Sequence, residues 1–84
     1  MDALVNLRKQ IDTIDNQLFA LLESRFTLSE KVKLLKIEQK IDISNPSREN
    51  TIIEHIPNSP HKDEIIELYQ MIFHLSKAIQ KKVG

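Results

Sequence analysis

No glycine or proline occurs before Pro46, and the only glycine in the chain is the last residue, Gly84. A run of that length without the two residues that break helices favours one continuous helix. Within it, apolar residues recur at Leu4, Leu7, Ile11, Ile14, Leu18, Leu21, Leu28, Val32 and Leu35, in steps of three and four with one gap. That is the stripe of an amphipathic helix. The spacing predicts one helix over about residues 3–39, which at about 1.5 Å per residue is roughly 55 Å long. Such a rod is about twice as long as a compact domain of 84 residues is wide. Either a second chain covers it or it frays.

The remainder divides at its prolines. Lys40-Ile41-Asp42-Ile43-Ser44 is short, with alternating polar positions and β-branched residues, which suits an extended connector. Asn45-Pro46 reads as an N-cap followed by proline at the first helical position, opening a second helix over about 46–56 with Ile52, Ile53 and Ile56 on one side. Pro57-Asn58-Ser59-Pro60 ends that helix, and Ser59 is the expected cap of a third, over about 60–82. Its stripe runs Ile65, Leu68, Tyr69, Ile72, Leu75, Ile79 and Val83. The expected fold is all-α: a single domain over 1–84 with three helices per chain, one very long N-terminal helix, and an intertwined two-fold homodimer.

Charge excludes several functions. Twelve basic residues balance twelve acidic ones, so nothing draws the whole chain to nucleic acid or to an anionic membrane. No segment is apolar enough to span a bilayer or to serve as a signal peptide. The absence of cysteine removes disulfides and thiolate metal sites and fits a cytoplasmic protein. Within this balance nine cations are lysine and three are arginine, Arg8, Arg25 and Arg48. Arginine is the better residue for gripping a carboxylate in two-pronged geometry.

Arg25 fills the gap in the long stripe. A charge directed at a helical core costs several kcal/mol unless it is paired or faces a ligand. Lys36 lies eleven residues on, about three turns, so the two cations project from nearly the same side with Cα atoms roughly 16 Å apart. One small molecule fits between their ends. Arg8 lies about 25 Å from Arg25 and about 42 Å from Lys36 along a straight helix, so it cannot share their site in its own chain. It is expected to serve the equivalent site of an antiparallel partner. In the third helix Ser76 and Gln80, one turn apart, continue the line of Tyr69, Ile72 and Phe73. Taken alone, that pair reads as the polar edge of a core, just as Arg48-Glu49 reads as a solvated first turn in which Glu49 suits the helix dipole.

As an ordered set these residues mean more. Leu7-Arg8, Ile11-Asp12, Ile14-Asp15, the Leu21-Leu22 run ending at Arg25, Lys36, Pro46 with Arg48-Glu49, and Ser76 with Gln80 make the chain resemble the all-helical class of chorismate mutases over essentially its whole length. The resemblance implies a dimer of three-helix chains with two active sites, each built mainly from one subunit and completed by Arg8 of the other. It implies that Arg8, Arg25, Lys36 and Arg48 hold the two carboxylates of a small dicarboxylate substrate, that Ser76 hydrogen-bonds one of them, and that Lys36 and Gln80 donate to the ether oxygen. Glu49 would accept from the ring hydroxyl, and Asn45 matches a substrate-binding position. The implied reaction is the Claisen rearrangement of chorismate to prephenate in aromatic amino-acid biosynthesis, which calls for no cofactor or metal. His55, His61 and His74 are scattered and receive no role.

The chain departs from the usual family pattern in carrying Asn45 where aspartate is common and Asp42 where proline is common. Two other functions share features of the pattern. Isochorismate pyruvate lyase has the same fold, but typically replaces the glutamate matching Glu49 with an apolar residue and does not keep the serine. A non-catalytic helical dimerisation or regulatory module accounts for the long stripe, but not for Arg25 within it or for arginine being confined to positions 8, 25 and 48.

Overall fold

The computed structural model describes residues 2–82 as three α-helices in the order α1 (Ala3–Gln39), α2 (Pro46–Glu54) and α3 (Lys62–Lys81). Val83, expected on the α3 stripe, lies outside the described residues. The long helix has the predicted bounds. Asp2 caps its start, its carboxylate accepting from Leu4 N–H at 3.0 Å, which satisfies one of the free donors there. Its end turns on Lys40, held at φ 57°, while Ile41 N–H returns to the Lys36 carbonyl at 2.9 Å. This is the left-handed exit by which helices commonly close, here made without glycine.

Asn45 caps α2 as expected, its side-chain oxygen accepting from Arg48 N–H at 3.1 Å, with Pro46 in the first turn. The helix ends at Glu54 rather than near residue 56. Pro57 follows Ile56, and a residue before proline is pushed out of helical geometry. Ile56 is nevertheless buried, at 7% exposure, so it packs from the turn and not from the helix.

The expected Ser59 cap is not formed. The N-cap of α3 is His61, with no side-chain cap bond, and Lys62 N–H donates to the Ser59 carbonyl at 3.2 Å. Ser59-Pro60-His61-Lys62 is thus a β-turn with proline at its favoured second position, and α3 starts two residues later than expected. Asp63 and Glu64 then occupy its first turn, where negative charge is favourable.

α3 lies against the C-terminal half of α1, and α2 packs on α3. Ile72 and Phe73 on α3, with Ile56, are the buried apolar residues among those described. The side of α1 turned toward them carries Leu22, Arg25, Phe26, Ser29, Lys33 and Lys36, each at least half-buried. The apolar stripe lies beside that face and stays open: Leu7 is 56% exposed, Ile14 59% and Leu21 68%. From Ala3 to Leu21 every residue except Asp15 is exposed. The radius of gyration is 16.4 Å, against about 12 Å for a compact chain of this length, and the long dimension is 58 Å. At 20 residues, or about 30 Å, α3 is too short to cover a 37-residue α1.

Candidate functional site

A cleft of about 450 Å³ opens where α1, the connector, α2 and α3 converge. Its charged and polar lining comprises Arg25, Ser29, Lys36, Asn45, Arg48, Glu49, Ser76, Lys77 and Gln80, and Leu28, Val32, Ile43, Ile52 and Phe73 complete its walls. Of the eight residues singled out from the sequence, seven meet here. The eighth, Arg8, is exposed on the uncovered half of α1 and does not line the cleft.

Each side chain is placed by its element. Arg25 points from α1 across to α3, where Nη1 donates to Ser76 Oγ at 3.0 Å. Its guanidinium carbon stands 5.8 Å from the Tyr69 ring centre, within the range of a cation–π contact. Tyr69 in turn meets Phe73 edge to face at 5.7 Å. The charge that broke the apolar stripe therefore rests on an aromatic shelf and a hydroxyl. Ser29, one turn further along α1, is buried and donates to the Arg25 carbonyl at 3.2 Å. Three turns from Arg25, Lys36 donates from Nζ to the Ile43 carbonyl at 2.8 Å, tying the connector over the end of α1. Two further donors remain on that ammonium.

Ser76 and Gln80 are buried, at 7% and 9% exposure, rather than lying at the edge where the pair alone would be placed. Gln80 Oε1 is enclosed without a hydrogen-bond partner. Such an atom costs free energy until a donor reaches it. Across the cleft, Glu49 on α2 pairs with Lys77 on α3 at 3.2 Å, both side chains partly buried. Among these lining residues Arg25, Lys36, Arg48 and Lys77 are cationic and Glu49 anionic, so the cleft carries a local excess of positive charge in a chain of zero net charge.

Ser29 and Lys77 were not singled out from the sequence. Ser29 shares the face of Arg25 and Lys36, and a small polar residue between two inward cations was the available signal. Lys77 had none: a lysine beside Ser76 resembles any solvated surface position. The histidines stand apart from the cleft lining.

An all-helical fold with a cationic, amide-bearing cleft between a long helix and the last helix offers the groups that suit a small anionic molecule. The comparisons narrow the class. The chain belongs to the chorismate mutase family: the family described as chorismate mutase type II matches residues 7–81. A chorismate mutase of Methanocaldococcus jannaschii is 30% identical over 98% of this chain and 88% of its own length. A bifunctional chorismate mutase/prephenate dehydratase of Aquifex aeolicus is 28% identical over 99% of this chain, which spans 25% of that protein. Among solved structures, a conserved hypothetical protein from Pyrococcus furiosus superposes with a TM-score of 0.83 at 30% identity, over 96% of this chain and 99% of that one.

Proposed function

We propose that this chain catalyses the rearrangement of chorismate to prephenate and that it does so as a two-fold homodimer. One observation carries the reading: Arg25, Lys36, Asn45, Arg48, Glu49, Ser76 and Gln80, drawn from three helices and a connector, line a single cleft. In the reaction an ether C–O bond breaks as a C–C bond forms within one molecule. No nucleophile and no net proton transfer is needed. The protein must hold the substrate folded, so that its two reacting ends meet, and must stabilise charge gathering on the ether oxygen.

The cleft has the groups for both tasks. Arg25, fixed by Ser76 and Tyr69, is a pre-positioned fork for one carboxylate, with Ser76 beside it. Arg48 and Lys36, which line the same cleft, serve the other. Lys36 Nζ and the Gln80 amide are the donors assigned to the ether oxygen. They act where charge develops, and so favour the transition state over bound substrate. Glu49 accepts from the ring hydroxyl, and Asn45 holds the first turn of α2 and with it Arg48 and Glu49.

The dimer supplies what one chain lacks. The exposed stripe of α1 is a large apolar face, of the kind that marks an interface. A partner related by a two-fold axis would cover it and bring its own Arg8 toward this cleft. That adds a further cation for the substrate carboxylates. Glu49 and Ser76 favour the mutase over isochorismate pyruvate lyase, which typically lacks both. The test is loss of chorismate absorbance on adding purified protein, with the product identified as prephenate. Release of pyruvate from isochorismate with chorismate left intact would overturn the assignment.

A further inference from the structure

The ion pair between Lys77 and Glu49 has no counterpart among the roles assigned above, and it lies inside the cleft. Lys77 Nζ stands 3.2 Å from Glu49 Oε2, with the two side chains 33% and 25% exposed. Both residues line the same cavity as Arg25, Lys36 and Arg48. The pair links α2 to α3, and α2 contributes no fully buried residue of its own.

We propose that Lys77 is a positioning and charge-balancing residue for Glu49, and that it sets how tightly the cleft binds a dianion. The proposal rests on the mutase reading above and deepens it. Two physical demands meet at Glu49. A carboxylate is wanted there to accept a hydrogen bond from a substrate hydroxyl. Yet a bare carboxylate in a half-buried cleft repels the two carboxylates of that substrate, and a low local dielectric strengthens the repulsion.

Lys77 resolves the conflict from outside the reacting atoms. Its ammonium occupies Oε2 and offsets the charge, leaving Oε1 free to accept, since a carboxylate can take several donors at once. With the pair neutral, Arg25, Lys36 and Arg48 face the ligand uncancelled. A surface salt bridge with no further function would contribute little to stability or binding. The same contact placed within the cavity governs the field at the ligand.

The experiment is a double-mutant cycle on the full chain, using chorismate as substrate at low ionic strength. Lys77→Gln is expected to raise KM about tenfold, as the uncancelled Glu49 repels the substrate, and to change kcat less than about threefold. Lys77→Arg is expected to hold KM within about threefold of the parent. Glu49→Gln impairs turnover by itself, since Glu49 touches the substrate. In that background Lys77→Gln is expected to raise KM less than about threefold, because only the direct pull of the ammonium on the dianion is lost and no carboxylate is left to position. Thermal melts of each variant separate folding from function, and Lys77→Met provides a second neutral side chain.

An unchanged KM in well-folded Lys77→Gln would overturn the proposal, as would a tenfold effect that persists in full when Glu49 is already glutamine. In both cases the parent still converts chorismate, so the mutase reading stands. If the parent leaves chorismate untouched, that reading fails and takes this proposal with it.

Discussion

Arg25 and Ser76, 51 residues apart in sequence, are joined by a 3.0 Å hydrogen bond from Nη1 to Oγ between the first and last helices. That bond explains how a charge can occupy the inner side of a long helix. The guanidinium is only partly buried, one edge is satisfied by the hydroxyl, and one face lies against Tyr69. Arg25 also lines the open cleft, so its charge is not sealed within an apolar core.

Replacing Arg25 by leucine should therefore separate stability from activity. The substitution removes a partly desolvated charge and completes the apolar series, so unfolding free energy should hold or rise by about 1 kcal/mol. Turnover should fall at least about 100-fold, because a two-pronged carboxylate contact is lost. Denaturant melts and chorismate consumption measure the two sides. Intact turnover with raised stability would remove Arg25 from the substrate contacts and leave it a purely structural residue.

Lys36→Ala and Gln80→Ala should chiefly lower kcat, each by about 100- to 1,000-fold, the range typical for losing one donor to a developing oxyanion. Substrate binding should change much less in Gln80→Ala, whereas Lys36→Ala, which also loses a carboxylate contact, should raise KM in addition. Steady-state kinetics give both parameters. A large rise in KM with kcat retained would assign the two residues to ground-state binding instead.

Asn45 tests whether the usual aspartate matters. Its side-chain oxygen already caps α2 at 3.1 Å, and aspartate caps about as well. Asn45→Asp should change kcat/KM less than about tenfold, whereas Asn45→Ala should cost about 1 kcal/mol of stability through the lost cap. A rise in rate by orders of magnitude in the aspartate variant would show that the carboxylate orients Arg48.

Lys40 offers a test of the fold outside the site. It holds φ 57°, a conformation that costs a residue bearing Cβ about 1 kcal/mol and glycine almost nothing. Lys40→Gly should raise the melting temperature by roughly 5 °C for a domain of this size, with turnover unchanged. A lower melting temperature would mean that the side chain contributes more than the backbone strain costs.

Helix content was legible because it depends on local rules. An apolar stripe uninterrupted by glycine or proline, followed by a β-branched connector, marked the extent of α1, and Asn45-Pro46 marked the start of α2. Boundaries slipped where a proline served a turn rather than a helix, at Pro60, or ended one early, at Pro57. The packing face of α1 was harder to read. Its strongest apolar stripe is exposed within the single chain, while the side against α3 mixes Leu22 and Phe26 with Arg25, Ser29, Lys33 and Lys36. Hydrophobic periodicity finds the larger apolar surface and does not say which neighbour covers it. The cleft was legible where charge broke a pattern, as at Arg25. It was not legible at Lys77, whose partner Glu49 is 28 positions away and is brought near only by the turn between α2 and α3.

The shared-site arrangement yields the last test. Arg8 lies about 25 Å along α1 from Arg25 and stands outside the cleft in its own chain. If Arg8 serves the partner, Arg8→Ala inactivates a site whose other residues belong to the opposite subunit, while Lys36→Ala inactivates a site in its own. Each variant alone gives dimers with two defective sites. When equal amounts are mixed and exchanged, about half of the dimers hold one chain of each kind. In such a pair one site has an intact Lys36 from the Arg8→Ala chain and an intact Arg8 from the other, while the second site lacks both. Activity should climb from near zero toward roughly one quarter of the parent value, at a rate set by subunit exchange. Exchange verified by mass-tagged chains, with no activity regained, would place Arg8 outside the active site or its action within its own chain, and the shared site would have to be abandoned.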